Sequence, residues 1–295
     1  MQTTTNLNIA IIGIGLIGGS LLRALNDKGY NITAVTANKK TVDCMKHFNR
    51  VHKVTSDLEQ LRDADVVFIA GPMSSVCPTI SALESIVKET CIVTDVASLK
   101  SYIFDYINAH NIKINYIGGH PMAGTEKTGF DNSFSEMFKG SKWVITPSSE
   151  TTEHDVKLLS EIIEKTEAEV VITNHREHDK AVGLISHLPA LVSQALFQYV
   201  DNYPDEKIKD LAFTLAASGF RDTTRIAMSS YELVSDMVEF NRNNLNVNIP
   251  EYESILNKLF MRYKTGDDSL TDELNSMISA RNELYSKEGK NIYKK

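Results

Sequence analysis

Short apolar runs alternate with amphipathic stretches through the first half of the chain. Residues 7–12, 32–36, 53–55, 66–70, 92–95 and 114–118 read as strands, and residues 20–28 and 74–88 between them carry helical periodicity. Strand, helix, strand at this rhythm predicts an α/β architecture, with a parallel sheet covered on both faces. Residues 142–146 and 169–173 read as two further strands, separated by a helix over 152–166. After residue 173 the strand-like runs stop and helical periodicity takes over. In 182–196 the apolar positions Leu184, Ile185, Leu188, Leu191, Val192, Ala195 and Leu196 form one broad stripe, the pattern of a helix that buries that face. Further helices are expected over 205–217, 230–243, 251–263 and 270–286. The change of period sets the expected domains at 1–173 and 174–295.

Residues 8–21 read NIAIIGIGLIGGSL, a GxGxxG turn directly after an apolar strand and opening a helix. In such a turn Gly13 permits the sharp bend, Gly15 lets the backbone approach a pyrophosphate, and Gly18 lets the helix pack on the strand. The N–H groups of Leu16, Ile17 and Gly18 at the helix start would face the phosphates. The chain is therefore expected to hold NAD or NADP. An NAD site usually carries an acid at the end of the second strand. Here that place reads Thr36-Ala37-Asn38-Lys39-Lys40. Thr36, Asn38 and Lys39 are the expected contacts there. A missing acid and added cations favour NADP over NAD.

Composition narrows the classes. With 42% hydrophobic and 23% charged residues, the 295-residue chain is globular rather than disordered or fibrous. A net charge of -7, with no long Lys/Arg run, argues against a nucleic-acid partner, and any anionic substrate would need a local cationic pocket. Cys44, Cys77 and Cys91 are few, odd in number and without metal-ligand spacing, which points to the cytoplasm and to no metal. The first apolar run is cut by glycines and meets Arg23, so neither a signal peptide nor a membrane span is expected.

Three stretches carry candidate chemistry. Residues 116–126 read YIGGHPMAGTE, placing His120 just beyond a predicted strand, at the edge of an α/β sheet that faces the ligand crevice. Ser186-His187-Leu188-Pro189 puts a histidine on or near the apolar stripe. Residues 218–225, SGFRDTTR, place Arg221 and Arg225 four residues apart around an acid. A structural histidine and a surface ion pair are the plain alternatives.

Together with GIGLIGGS (13–20), DVASLK (95–100) and HDKAVGLISHLPA (178–190), these stretches resemble the TyrA family, the prephenate and arogenate dehydrogenases. Their order and spacing cover nearly the whole chain. The resemblance implies a Rossmann-type dinucleotide-binding domain followed by an all-helical dimerisation domain, and a homodimer. It implies removal of hydride from C4 of a cyclohexadienol ring and loss of the C1 carboxylate as CO2, giving 4-hydroxyphenylpyruvate from prephenate or tyrosine from arogenate. By resemblance His120 matches the histidine that bonds the C4 hydroxyl, and Ser98 a serine near that hydroxyl and the nicotinamide. His187 and Arg225 match substrate-binding residues, Arg225 the ring-carboxylate arginine. Arg221, Thr125 and Glu126 are further substrate-binding candidates. Some members carry Trp nine positions after that arginine, where this chain has Val234.

Those residue types suit the chemistry. A neutral imidazole can take the hydroxyl proton, and a planar guanidinium can orient one carboxylate of a dianionic substrate. Two other readings explain less. A β-hydroxyacid dehydrogenase would share the glycine turn but not HPMAG or SHLP. A non-catalytic nucleotide-sensing module would bind cofactor without turnover.

Overall fold

The computed structural model describes residues 6–45, 51–125 and 127–287. The side chain of Cys44 also lies outside the described set. Six parallel strands form the main sheet: β1 (Asn8–Ile12), β2 (Asn31–Val35), β3 (Lys53–Thr55), β4 (Val66–Ile69), β5 (Ile92–Asp95) and β6 (Asn115–Tyr116). Their spatial order is β3-β2-β1-β4-β5-β6. This is the doubly wound order of a Rossmann fold, whose crevice opens where β1 and β4 send their connections to opposite faces. The central strands β4 and β5 are buried at every position, which is why VVFI and IVTD show little or no alternation.

The crossovers supply α1 (Leu16–Leu25), α2 (Lys39–Met45), α3 (Met73–Leu83) and α4 (Ser101–His110). Leu21, Leu22 and Leu25 of α1 pack with Ile9, Ile11 and Phe68 on one side of the sheet. Val76, Ile80 and Leu83 of α3 join Ile103 and Phe104 of α4 on the other. A fully buried side chain of this size contributes about 1.5–3 kcal/mol, so both faces hold the layers firmly.

The chain then leaves the sheet earlier than its sequence suggests. Residues 114–118 were expected as one strand; β6 instead ends at Tyr116, and β7 (Gly118–Pro121) starts a second sheet. There β7 runs antiparallel to β8 (Lys142–Thr146), which pairs in parallel with β9 (Glu169–Ile172). His120 therefore sits within a strand, opposite Val144, rather than beyond one. The switch depends on Gly119: a Cβ there would lie 2.4 Å from the Asp95 carbonyl oxygen. Between β8 and β9 runs α5 (Glu153–Glu164), capped by the Thr152 hydroxyl.

The helical part comprises α6 (His175–Val182), α7 (Leu188–Asp201), α8 (Glu206–Leu215), α9 (Ser218–Thr224), α10 (Tyr231–Phe240), α11 (Arg242–Thr265) and α12 (Leu270–Lys287). The helix expected from 251 starts nine residues earlier and runs through Pro250. By contact the chain forms two compact units, Met1–Leu245 and Asn246–Lys295. A π-helical turn, Gly183–His187, joins α6 to α7. The apolar stripe predicted here is only partly covered: Leu188, Leu191, Val192 and Leu196 are half-buried, while Leu184 is 54% and Ile185 68% exposed. Val182, Gly183, His187, Ala190 and Ser193 are the buried positions instead. The run His175–Asp201 is long and apolar enough, by length and composition alone, to cross a membrane, although His178, Asp179 and His187 are buried along it.

Candidate active site

Asp95 closes β5 and organises the loop beyond it. Its carboxylate accepts from Ala97 N (2.9 Å), Tyr116 OH (2.7 Å) and Gly119 N (3.1 Å), and pairs with the fully buried Lys100 ammonium. Burial pushes the Lys100 pKa down, against the pull of Asp95. This network fixes the loop that carries Ser98 against the strand that carries His120. The Ser98 hydroxyl donates to Met73 Sδ at 3.1 Å, so its partner here is the start of α3.

Asp179 ties the helical part to this loop. No side chain from α4 or its cap residue caps that helix; the Asp179 carboxylate does so from 78 and 79 residues away, accepting from Ser101 N (2.7 Å) and Lys100 N (2.9 Å). A carboxylate at a helix N-terminus also meets the positive end of the dipole. Burial pushes the Asp179 pKa up, yet the hydrogen bonds from His178, Ser101 and Lys100 together hold it below the usual carboxylate value.

From Asp179 a relay leads to His120. His178 Nδ1 donates to Asp179 Oδ1 (2.8 Å), and His120 Nδ1 lies 2.9 Å from His178 Nε2. With the carboxylate ionised, the bonding order assigns the tautomers. His178 carries its proton on Nδ1 and its lone pair on Nε2, so His120 donates from Nδ1 and presents its own lone pair at Nε2. Desolvation holds the His120 pKa well below the ordinary imidazole value, and protonation of His178, the Lys100 charge and protonation of His187 would each act in the same direction. The ring is a neutral base aimed by two residues behind it.

His187 is buried on the inner side of the π turn. Its Nδ1 meets Asn241 Nδ2 at 3.1 Å, and the same amide donates to the Asp179 carbonyl oxygen at 3.0 Å. That bond makes Nδ1 the acceptor and leaves the proton on Nε2, a buried N–H that finds no acceptor among the described residues. Burial lowers the His187 pKa to about 4, with Asp179 raising it and His178 lowering it.

The glycine turn has the shape a dinucleotide requires. Gly13 has φ +92°, and a Cβ on Gly18 would lie 2.0 Å from its carbonyl oxygen, so strand and helix approach backbone to backbone. Among the described residues nothing lies within 4 Å of the place a Gly15 Cβ would occupy. The first turn of α1 has no side-chain cap and no acid, so the N–H groups of Leu16, Ile17 and Gly18 suit a pyrophosphate. Beyond the turn lies a cavity of about 340 Å3 lined by Thr36, Asn38, Lys40 and Asp131 among others. Lys40, rather than the expected Lys39, is the lining lysine, because Asn38 caps α2 and turns the next residue outward.

Other predicted residues stand apart. Thr125 is exposed, as are Arg221, bonded to Asp222 at 3.0 Å, and Arg225, in the 3-10 turn Arg225–Met228. Glu126 lies outside the described residues. Among the described residues no hydrogen bond or ion pair joins Arg225, Arg221 or Thr125 to the histidine cluster.

Two family models match this chain: the nucleotide-binding domain of prephenate dehydrogenase over residues 21–172 and its dimerization domain over residues 174–278. The chain belongs to the prephenate dehydrogenase family. Its curated relatives include a prephenate dehydrogenase from Bacillus subtilis (strain 168), 29% identical over 256 residues, covering 85% of this chain and 68% of that protein. Another is a cyclohexadienyl dehydrogenase from Zymomonas mobilis, 28% identical, covering 78% of this chain and 80% of that one. Among solved structures, the arogenate dehydrogenase of Synechocystis is 31% identical with a TM-score of 0.85, covering 95% of this chain and 100% of that one. A prephenate dehydrogenase from A. aeolicus in complex with hydroxyphenyl propionate and NAD+ is 27% identical with a TM-score of 0.84, covering 95% and 99%.

In this member of the prephenate dehydrogenase family, the sequence motifs HDK and DVASLK carry the resemblance but assign no role to His178, Asp179, Asp95 or Lys100. The available signal was an adjacent His-Asp pair at the head of an apolar helix. A charged pair that precedes such a helix needs buried partners, and here they are backbone amides and His120.

Proposed function

We propose that this chain catalyses the NAD(P)-dependent oxidative decarboxylation of prephenate to 4-hydroxyphenylpyruvate, with arogenate, which would give tyrosine, as the alternative ring substrate. The observation that carries the reading is the Asp179–His178–His120 relay beside the loop from β5, at the same sheet edge as the glycine turn. A nicotinamide bound at that turn supplies the hydride acceptor.

As hydride leaves C4, His120 Nε2 takes the proton of the C4 hydroxyl, and the O–H electron pair becomes the carbonyl π bond. His178 and Asp179 stabilise the imidazolium as it forms. The C1–carboxylate bond then breaks, CO2 departs, and its electron pair flows through the ring to the carbonyl oxygen. His120 returns its proton there, giving the phenol. Ser98 is assigned to the region of that hydroxyl. His187, with an N–H lacking an acceptor among the described residues, would donate to a substrate oxygen. Arg225 is assigned to the ring carboxylate; Arg221, Thr125 and Glu126 are secondary candidates.

NADP is proposed as the preferred form and NAD as a usable one, because β2 runs into Thr36 and Asn38 without an acid. The domains are proposed at 1–173 and 174–295, and the working form as a cytoplasmic homodimer. The outward Leu184 and Ile185 and the free Cys77 and Cys91 support these points. The test is absorbance at 340 nm with prephenate and with arogenate, each with NAD+ and NADP+. Turnover of prephenate is expected. Cofactor binding without turnover of either ring substrate would leave a nucleotide sensor instead.

A further inference from the structure

We infer that Asp131, which no part of the sequence pattern marked, limits the preference for the phosphorylated cofactor and keeps the unphosphorylated one usable. The inference rests on the cofactor reading above. The second strand of a dinucleotide fold usually supplies the acid that accepts from the ribose 2′-hydroxyl. Here β2 supplies none. Asp131 comes to the same cavity from the loop after β7, and its carboxylate pairs with Lys40 Nζ at 2.8 Å.

That loop is seated. Phe130 is buried, with the Arg23 guanidinium 4.7 Å above its ring. Arg23 Nε also donates to Ser133 Oγ at 2.8 Å. A Cβ on Gly19 would come within 2.7 Å of the Phe130 ring, so the second glycine of the GG pair makes room for the loop. The backbone on either side of Asp131 is thereby held against α1.

The remaining polar side chains of the lining can donate. Thr36 Oγ1 accepts from Asn38 N (3.2 Å) and keeps its own hydrogen, and Asn38 Oδ1 caps α2 while its amide hydrogens remain. With Lys40 they suit a 2′-phosphate, which would draw Lys40 away from Asp131 and face that carboxylate. A 2′-hydroxyl would leave the pair intact and donate to Asp131. One acid, opposite rather than on β2, thus opposes the phosphate and accommodates the diol.

The experiment is calorimetric titration of the full-length protein with NADP+ and NAD+, for the wild type, Asp131→Asn and Lys40→Met. Asp131→Asn should tighten NADP+ by about three- to fivefold and weaken NAD+ by about threefold, the scale expected when one exposed charge is removed. Lys40→Met should weaken NADP+ by about three- to fivefold and change NAD+ by less than about twofold. If Asp131→Asn changes neither Kd, or both by one factor, the inference fails while the cofactor reading stands. If the wild type binds neither nucleotide, both fall.

Discussion

His120 and His187 are both held neutral, and each should fail in its own way. His120→Asn removes the base without touching the glycine turn. The expected loss in kcat is about 10²–10⁴-fold, with the Kd for NADP+ unchanged by calorimetry. Because desolvation depresses the His120 pKa, the acid limb of kcat/KM should lie below the ordinary imidazole value of about 6.5. An acid limb at or above that value would remove His120 as the base. His187 touches stability. Its folded pKa of about 4 is below the unfolded value, so the unfolded chain binds the extra proton as pH falls from about 6.5 through 4. That group's contribution is complete above the window and is lost on descending through it, at no more than about 1.4 kcal/mol per pH unit. Urea titrations across the window should show this slope, and His187→Asn should flatten it. Both histidines were legible as polar residues in odd places. Asp179 was not, because its meaning lies in amides 78 and 79 residues upstream.

At the scale of elements, buried strands announce themselves as unbroken apolar runs, and β4 and β5 were legible for that reason. The helical stripe of α7 is present as a stripe, but Leu188, Leu191, Val192 and Leu196 are only half-buried. Amphipathicity states that a face needs covering and leaves open what covers it. The break between β6 and β7 was invisible because apolar pattern registers a strand and carries no information about its sheet. The glycine turn was legible because its geometry is local. Gly18→Ala tests that geometry: the new Cβ must displace the Gly13 carbonyl, 2.0 Å away. The expected result is loss of NADP+ binding and about 1–3 kcal/mol of stability, read by calorimetry and thermal unfolding. Normal binding would mean the turn shifts freely.

For the whole molecule, the exposed Leu184 and Ile185 lie within the stretch that matches the dimerization-domain model and are the side chains assigned to the proposed homodimer contact. Ile185→Glu should shift sedimentation from dimer toward monomer. An unchanged sedimentation coefficient would remove this face from the proposed homodimer contact.

The relay also has a consequence for the order of assembly. The glycine turn is complete once residues 9 to 71 have met, through partners 57 and 58 positions apart, whereas the relay also needs the loop after β5 in place and α6 docked on it across 78 and 79 positions. Contacts of greater separation cost more chain entropy to close and form later. A refolding chain should therefore regain its grip on nucleotide before it can turn over, and stopped-flow nucleotide fluorescence should recover ahead of 340 nm activity. The newborn enzyme would pass through a stage in which it holds cofactor and does nothing with it.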